Sequence, residues 1–172
     1  MGPRQPERMR LLVVVDGTDA STRVLRYIGP FAMGCRGVEI QLAYLEARLP
    51  PALLESGGAE LPEREQQIEA DLRAEQQEWI KAADRAAGRI LRTARTELER
   101  AGVDGSRIAT CTSSPLDAVS AAEEVLLLAR DQECHTIVVG HRAHGWVSGV
   151  GGGHLAEQLV RKANGDTVWV VD

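Results

Sequence analysis

A chain of 172 residues is long enough for one well-buried core and short for two. Its formal charge of −5 argues against a nucleic-acid surface, which needs clustered Lys and Arg, and aromatics at 3% leave little for stacking on bases. No run approaches the roughly 18 apolar residues of a membrane span, and no apolar stretch follows the charges of MGPRQPERMR, so residues 1–9 read as a flexible lead-in to a soluble protein.

Leu11 to Val15 is a continuous apolar run that fits a strand buried on both faces, ended by Asp16-Gly17-Thr18-Asp19. Asp19 or Ser21 is placed to cap the next helix, whose apolar positions Val24, Leu25, Ile28 and Phe31 keep helical spacing until Gly34. After Gly37 a second strand is expected over Val38 to Leu45. From Glu46 to Pro62 prolines, glycines and small residues predict a surface loop or lid with no regular element. Ile68, Leu72, Trp79, Ile80, Ala83, Ala87, Ile90, Leu91, Ala94 and Leu98 then form one apolar stripe, which predicts a long amphipathic helix from Glu63 to Arg100. Gly88 is a place where that helix can bend, and Ala101-Gly102 ends it.

A weaker third strand is expected over Arg107 to Cys111. Ser113-Ser114-Pro115 reads as the start of a helix with Leu116, Val119, Ala122, Val125, Leu126 and Ala129 on its core face. Thr136 to Val139 is the fourth strand, His154 to Ala163 the last helix, and Thr167 to Val171 the fifth strand. Five strands alternating with four helices predict an open parallel sheet with helices on both faces. Ligands of such sheets gather at the carboxyl ends of the strands, where the strand order reverses. Asp16 and Gly140 both fall on that edge.

The stretch from Thr136 to Leu155, TIVVGHRAHGWVSGVGGGHL, joins a short apolar strand through a loop rich in Gly and His to a helix start. Backbone N–H groups and a helix dipole converge on an anion at such a place. Other chemistries are poorly supported. No G-x-x-x-x-G-K-[ST] is present, and Gly151 to Gly153 lie a dozen residues past their strand, too far for a dinucleotide fingerprint. His141, His144 and His154 lack a carboxylate or Cys at metal-site spacing, and they read as solvated loop residues or phosphate partners. Cys35, Cys111 and Cys134 form no C-x-x-C, which fits a reducing cytoplasm. Cys134 beside His135 reads as structural, and no residues supply a general base and an electrophilic clamp together, so no enzyme is expected beyond slow ATP hydrolysis. Trp146 reads as packing on its own loop or, second, as a cover for the site, and Trp169 as core or interface.

Leu11 to Ser21, LLVVVDGTDAS, resembles the opening strand, Asp-Gly-Ser turn and capped helix of the universal stress protein (UspA-like) family. Nucleotide-binding members carry Gly, two residues, Gly, nine residues, then Gly-Ser or Gly-Thr. Here that spacing reads Gly140, His141, Arg142, Ala143, nine residues with Gly152 at their end, then Gly153-His154. The resemblance runs from Arg10 to Asp172 and implies a single α/β domain with residues 46–62 as a loop insertion. It further implies the three-layer fold of the adenine-nucleotide α-hydrolase type, with strand order 3-2-1-4-5.

By the same resemblance the protein is a cytoplasmic stress-response regulator that binds ATP or a related adenine nucleotide, with Mg where a metal takes part. Asp16 would contact the ribose or the metal, and Val14, Val15 and Tyr44 would frame the adenine. Gly140, Arg142 and Ala143 would begin the phosphate loop, and Gly153, His154 and Leu155 would offer backbone N–H groups to the phosphates. The fifth strand, Thr167 to Val171, would pair with its counterpart in a homodimer, covering an apolar edge that is otherwise open to aggregation. Ala143 stands where the family has Gly, and His154 where it has a hydroxyl residue. Two readings therefore stay open: a nucleotide-binding dimer, and a dimer that acts only through protein partners. Neither a nucleic acid nor a membrane is an expected partner, and the sequence names no regulatory one.

Overall fold

The computed structural model describes residues 8–46, 49–54, 62–113, 120–141 and 155–172. Within these, β1 (Met9–Val14), β2 (Val38–Tyr44), β3 (Ile108–Thr112), β4 (Thr136–Gly140) and β5 (Thr167–Val171) form one sheet in the order β3-β2-β1-β4-β5. All four pairings are parallel, with Leu11 opposite both Ile40 and Thr136, and Gly140 opposite Val171. The helices are α1 (Asp19–Gly34), α2 (Pro62–Arg100), α3 (Ala121–Asp131) and α4 (Leu155–Lys162).

The continuous apolar run of β1 has a structural cause. Leu11 and Val13 face a core shared with α1 and α2, while Leu12 and Val14 face a second core shared with α3 and α4. Leu11, Leu12 and Val13 are fully buried, each contributing roughly 1.5–3 kcal/mol of apolar transfer free energy. In β2 the alternation Val38, Glu39, Ile40, Gln41, Leu42 shows that only the α1 and α2 side is covered along its first half.

Several local expectations are corrected. Neither Asp19 nor Ser21 caps α1: Thr18 does, its hydroxyl accepting from the Ser21 N–H. Asp19 is already helical, so its carboxylate serves the dipole instead. α3 does not begin at Ser113, which directly follows β3, but at Ala121 with Ser120 as cap; Leu116 and Val119 lie outside the described residues. Ala122, Val125, Leu126 and Ala129 are buried as expected. Among its described residues the loop after β2 holds a 3-10 turn, Pro51–Leu53, and Pro62 already belongs to α2. β2 ends at Tyr44, β3 spans Ile108–Thr112, β4 includes Gly140, and α4 ends at Lys162. His154, the expected start of α4, lies outside the described residues.

At 39 residues α2 is about 58 Å long, far longer than a strand of five to seven residues. Only its second half packs on the sheet, through Leu91, Ala94 and Leu98. Along the first half the stripe goes largely uncovered: Ile68 and Ile80 are exposed, and Leu72 and Trp79 are half-buried. The Gln76 side chain donates to the Leu53 carbonyl at 2.6 Å and ties the 3-10 turn to that overhang. The helix runs unbroken through Gly88. It ends at Gly102, φ +91°, with the Val103 N–H bonded to the Leu98 carbonyl, the glycine-terminated motif that Ala101-Gly102 predicts.

Candidate functional site at the carboxyl edge of the sheet

The sheet order reverses between β1 and β4, and the residues that follow these strands line one edge. Val14 and Val15 are core side chains at 3% and 1% exposure, one on each face of the sheet. Asp16 then turns the chain. The Thr18 N–H and hydroxyl both donate to its Oδ1, at 2.9 and 2.6 Å, and Gly17 between them takes φ +77°. Oδ2 of the same carboxylate is buried and has no hydrogen-bond partner among the described residues. A buried carboxylate oxygen left unpaired costs on the order of 1–3 kcal/mol or more, so its place on this edge marks it for a ligand donor or cation.

Tyr44, at the end of β2, is half-buried beside this turn. Burial pushes its phenol above the ordinary value, and the charges of Asp16 and Glu46 add to the shift, which places all three groups within electrostatic reach. The next layer of the edge was not foreseen from sequence. Ser113 and Glu124 are buried polar residues, at 4% and 5% exposure, and the Ser113 hydroxyl donates to the Glu124 carboxylate. The Glu46 N–H donates to Ser113 Oγ at 2.9 Å, and the Ser113 N–H to the Tyr44 carbonyl at 3.0 Å. This network fixes where the chain leaves β2. Its only sequence signal is an acid, Glu124, on the apolar face of α3.

On the other side, Gly140 ends β4 directly under the first turn of α1. A Cβ there would lie 3.0 Å from Ala20 Cβ and 3.3 Å from the Ala20 carbonyl carbon and oxygen. The His141 N–H continues the ladder to the Val171 carbonyl at 2.7 Å, and its ring sits 3.5 Å from the Asp172 carboxylate, turned toward the chain end. Leu155, the first residue of α4, has a buried side chain in the α3 and α4 core. The structure thus brings Asp16, Tyr44 and Gly140 to one edge. Arg142, Ala143, Gly153 and His154, with His144 and Trp146, lie outside the described residues. Trp169 is half-buried against the α1 and α2 core, where its ring meets Phe31 edge to face at a centroid distance of 5.2 Å.

A five-stranded parallel sheet in this order, with helices on both faces, defines a doubly wound α/β protein, and in that class ligands bind outside the carboxyl ends of the strands. Within that class the chain belongs to the universal stress protein family, whose model matches residues 7–171. Solved structures of low identity share the fold. One, a universal stress protein in complex with cAMP, is 18% identical with a TM-score of 0.61, covering 96% of this chain and 98% of that one. A family member from Burkholderia pseudomallei is 18% identical at TM-score 0.57, covering 97% and 98%. The Archaeoglobus fulgidus universal stress protein in complex with dAMP is 18% identical at TM-score 0.55, covering 96% and 99%. Among curated proteins, none matches the sequence. No described helix is long and apolar enough to cross a membrane.

Proposed function

We propose that this universal stress protein is a single-domain, cytoplasmic regulator that binds an adenine nucleotide, ATP in the first instance, at the carboxyl edge between Asp16 and the start of α4. The observation that carries the reading is the buried Oδ2 of Asp16, an acceptor with no partner among the described residues at the reversal point of the sheet. A ribose hydroxyl would satisfy it, and so would a cation. The cAMP and dAMP complexes of the structural relatives support an adenine ligand in a fold of this kind. In this reading Val14, Val15 and Tyr44 would frame the adenine, and Gly140, Arg142, Ala143, Gly153, His154 and Leu155 would serve the phosphates.

No cluster of three His, Cys, Asp or Glu residues forms a metal site among the described residues. A magnesium ion bound with ATP would take Asp16 as a carboxylate ligand, with phosphates and water beside it. The outer edge of β5, with Val170 43% exposed, is the surface through which we propose that two copies pair.

Isothermal titration with Mg-ATP, AMP and cAMP tests the nucleotide reading. Saturable heat with at least one of them is expected, weakened about tenfold or more by Asp16→Ala. An absence of heat at millimolar nucleotide would sink it and leave a protein that works through partners alone. Light scattering after size exclusion tests the dimer, with Val170→Asp expected to yield monomers.

A further inference from the structure

We infer that the solvent face of α1 and α2 is a docking surface for an acidic protein segment. From Ala20 to Val38 the chain carries Arg23, Arg26 and Arg36 and no acid; from Arg85 to Thr96 it carries Arg85, Arg89, Arg92 and Arg95 and no acid. These two segments hold +7 in a chain whose total is −5, so everything else sums to −12. The charge is segregated.

The tertiary structure brings the two segments together over part of their length, with Arg85 and Arg89 toward the start of α1 and Met33 level with Gly102 at the other end. A Cβ on Gly17 would meet Ile90 at 3.1 Å, and one on Gly29 would meet Ala101 at 2.7 Å and Leu98 at 4.0 Å. α1 and α2 therefore run together in one layer on the same core, and Arg23 and Arg26 lie between those two levels. Arg95 is used internally: it pairs with Glu99 and donates to the Gly105 and Ile108 carbonyls. The other six arginines are exposed and form no ion pair among the described residues, although Arg85 lends some field to Glu78. Arg85, Arg89 and Arg92 stand at i, i+4 and i+7, one stripe along the solvent side of α2. The acids that border the surface are Asp19, Asp84 and Glu97, and the Arg100 side chain neutralises the last.

The apolar content points to protein as the partner. Tyr27 and Met33 of α1 are 58% and 54% exposed, among the most exposed large apolar side chains described. Arg, Tyr and Met are enriched in the cores of protein interfaces, whereas Lys is depleted, and neither segment contains Lys. Guanidinium groups also grip carboxylates bidentately, which an ammonium cannot do.

The test uses the full chain without nucleotide and a short fluorescein-labelled helical peptide with Glu at i, i+4 and i+7 and Leu between, followed by anisotropy. Saturable binding is expected, weakening steeply with added NaCl. Arg89→Glu with Arg92→Glu should weaken it at least about tenfold, and Tyr27→Ala severalfold, with melting temperature unchanged. Arg89→Lys with Arg92→Lys should fall in between, since charge remains and the fork is lost. No binding, equal binding by the charge-reversed protein, or tighter binding to phosphatidylserine vesicles or duplex DNA than to the peptide would each overturn the assignment.

Discussion

Gly140 and Ala20 touch across the reversal point of the sheet, close enough that a methyl on Gly140 would sit 3.0 Å from the Ala20 methyl. The contact joins the end of β4 to the first turn of α1, beside the carboxyl edge at which the proposed nucleotide would lie. Space, not backbone conformation, demands glycine here. Gly140→Ala is expected to cost about 1–3 kcal/mol in urea unfolding. Ala20→Gly in the same chain should recover part of that loss and no more, because the Ala20 carbonyl group, at 3.3 Å, remains in the way.

Gly17 is constrained twice, by φ +77° and by Ile90 at 3.1 Å from any Cβ. Gly17→Asn should cost less than Gly17→Val, since Asn visits left-handed backbone and a β-branched residue does so only under strain. Losses of about 1 and 3 kcal/mol respectively are expected from chemical denaturation. Equal losses would mean that the Ile90 contact alone decides the position.

Glu133 is the one non-glycine residue with positive φ among those described, at 52°. It ends α3 in the same motif that Gly102 serves for α2, with the Cys134 N–H bonded to the Ala129 carbonyl at 2.8 Å. Glu133→Gly should therefore stabilise the protein by about 0.5–1 kcal/mol. The Arg10 to Glu133 ion pair that it removes is exposed and worth little. A thermal melt decides the sign.

The three cysteines differ in access. Cys35 is exposed, Cys111 half-buried and Cys134 buried. Burial pushes the Cys111 thiol up, and burial, with the Cys111 charge, pushes Cys134 up to about 11. Iodoacetamide at mildly alkaline pH should label Cys35 first, Cys111 next and Cys134 last, as read by peptide mass spectrometry. The native state holds the Cys134 proton more tightly than the unfolded chain does. Its stabilising effect is thus full below the ordinary value of 9.0 and lost as pH rises through about 11. Between pH 8 and 10 the native protein should lose about 1 kcal/mol that a Cys134→Ala variant keeps.

Much of this protein is determined by sequence alone, because its signals are local. The unbroken apolar run of Leu11 to Val15 demands a strand covered on both faces, and Gly102 stops α2 by the left-handed backbone that glycine allows. The spacing of Gly140 and Gly153-His154 points to the family that the match over residues 7–171 establishes. Local pattern also names Asp16, since a turn after a central strand must sit on the carboxyl edge.

Tertiary structure decided the rest, for reasons that spacing cannot carry. Whether the stripe of α2 is buried depends on the length of the sheet beneath it, so Ile68 and Ile80 are exposed although they share the period of Leu91 and Leu98. Thr18 won the cap over Asp19 and Ser21 because the carboxylate of Asp16 fixes the turn before it. The orphaned oxygen of Asp16, the Ser113 and Glu124 pair, and the arginine layer of α1 and α2 all join residues far apart in the chain. Distances and burial exist only once the sheet is assembled.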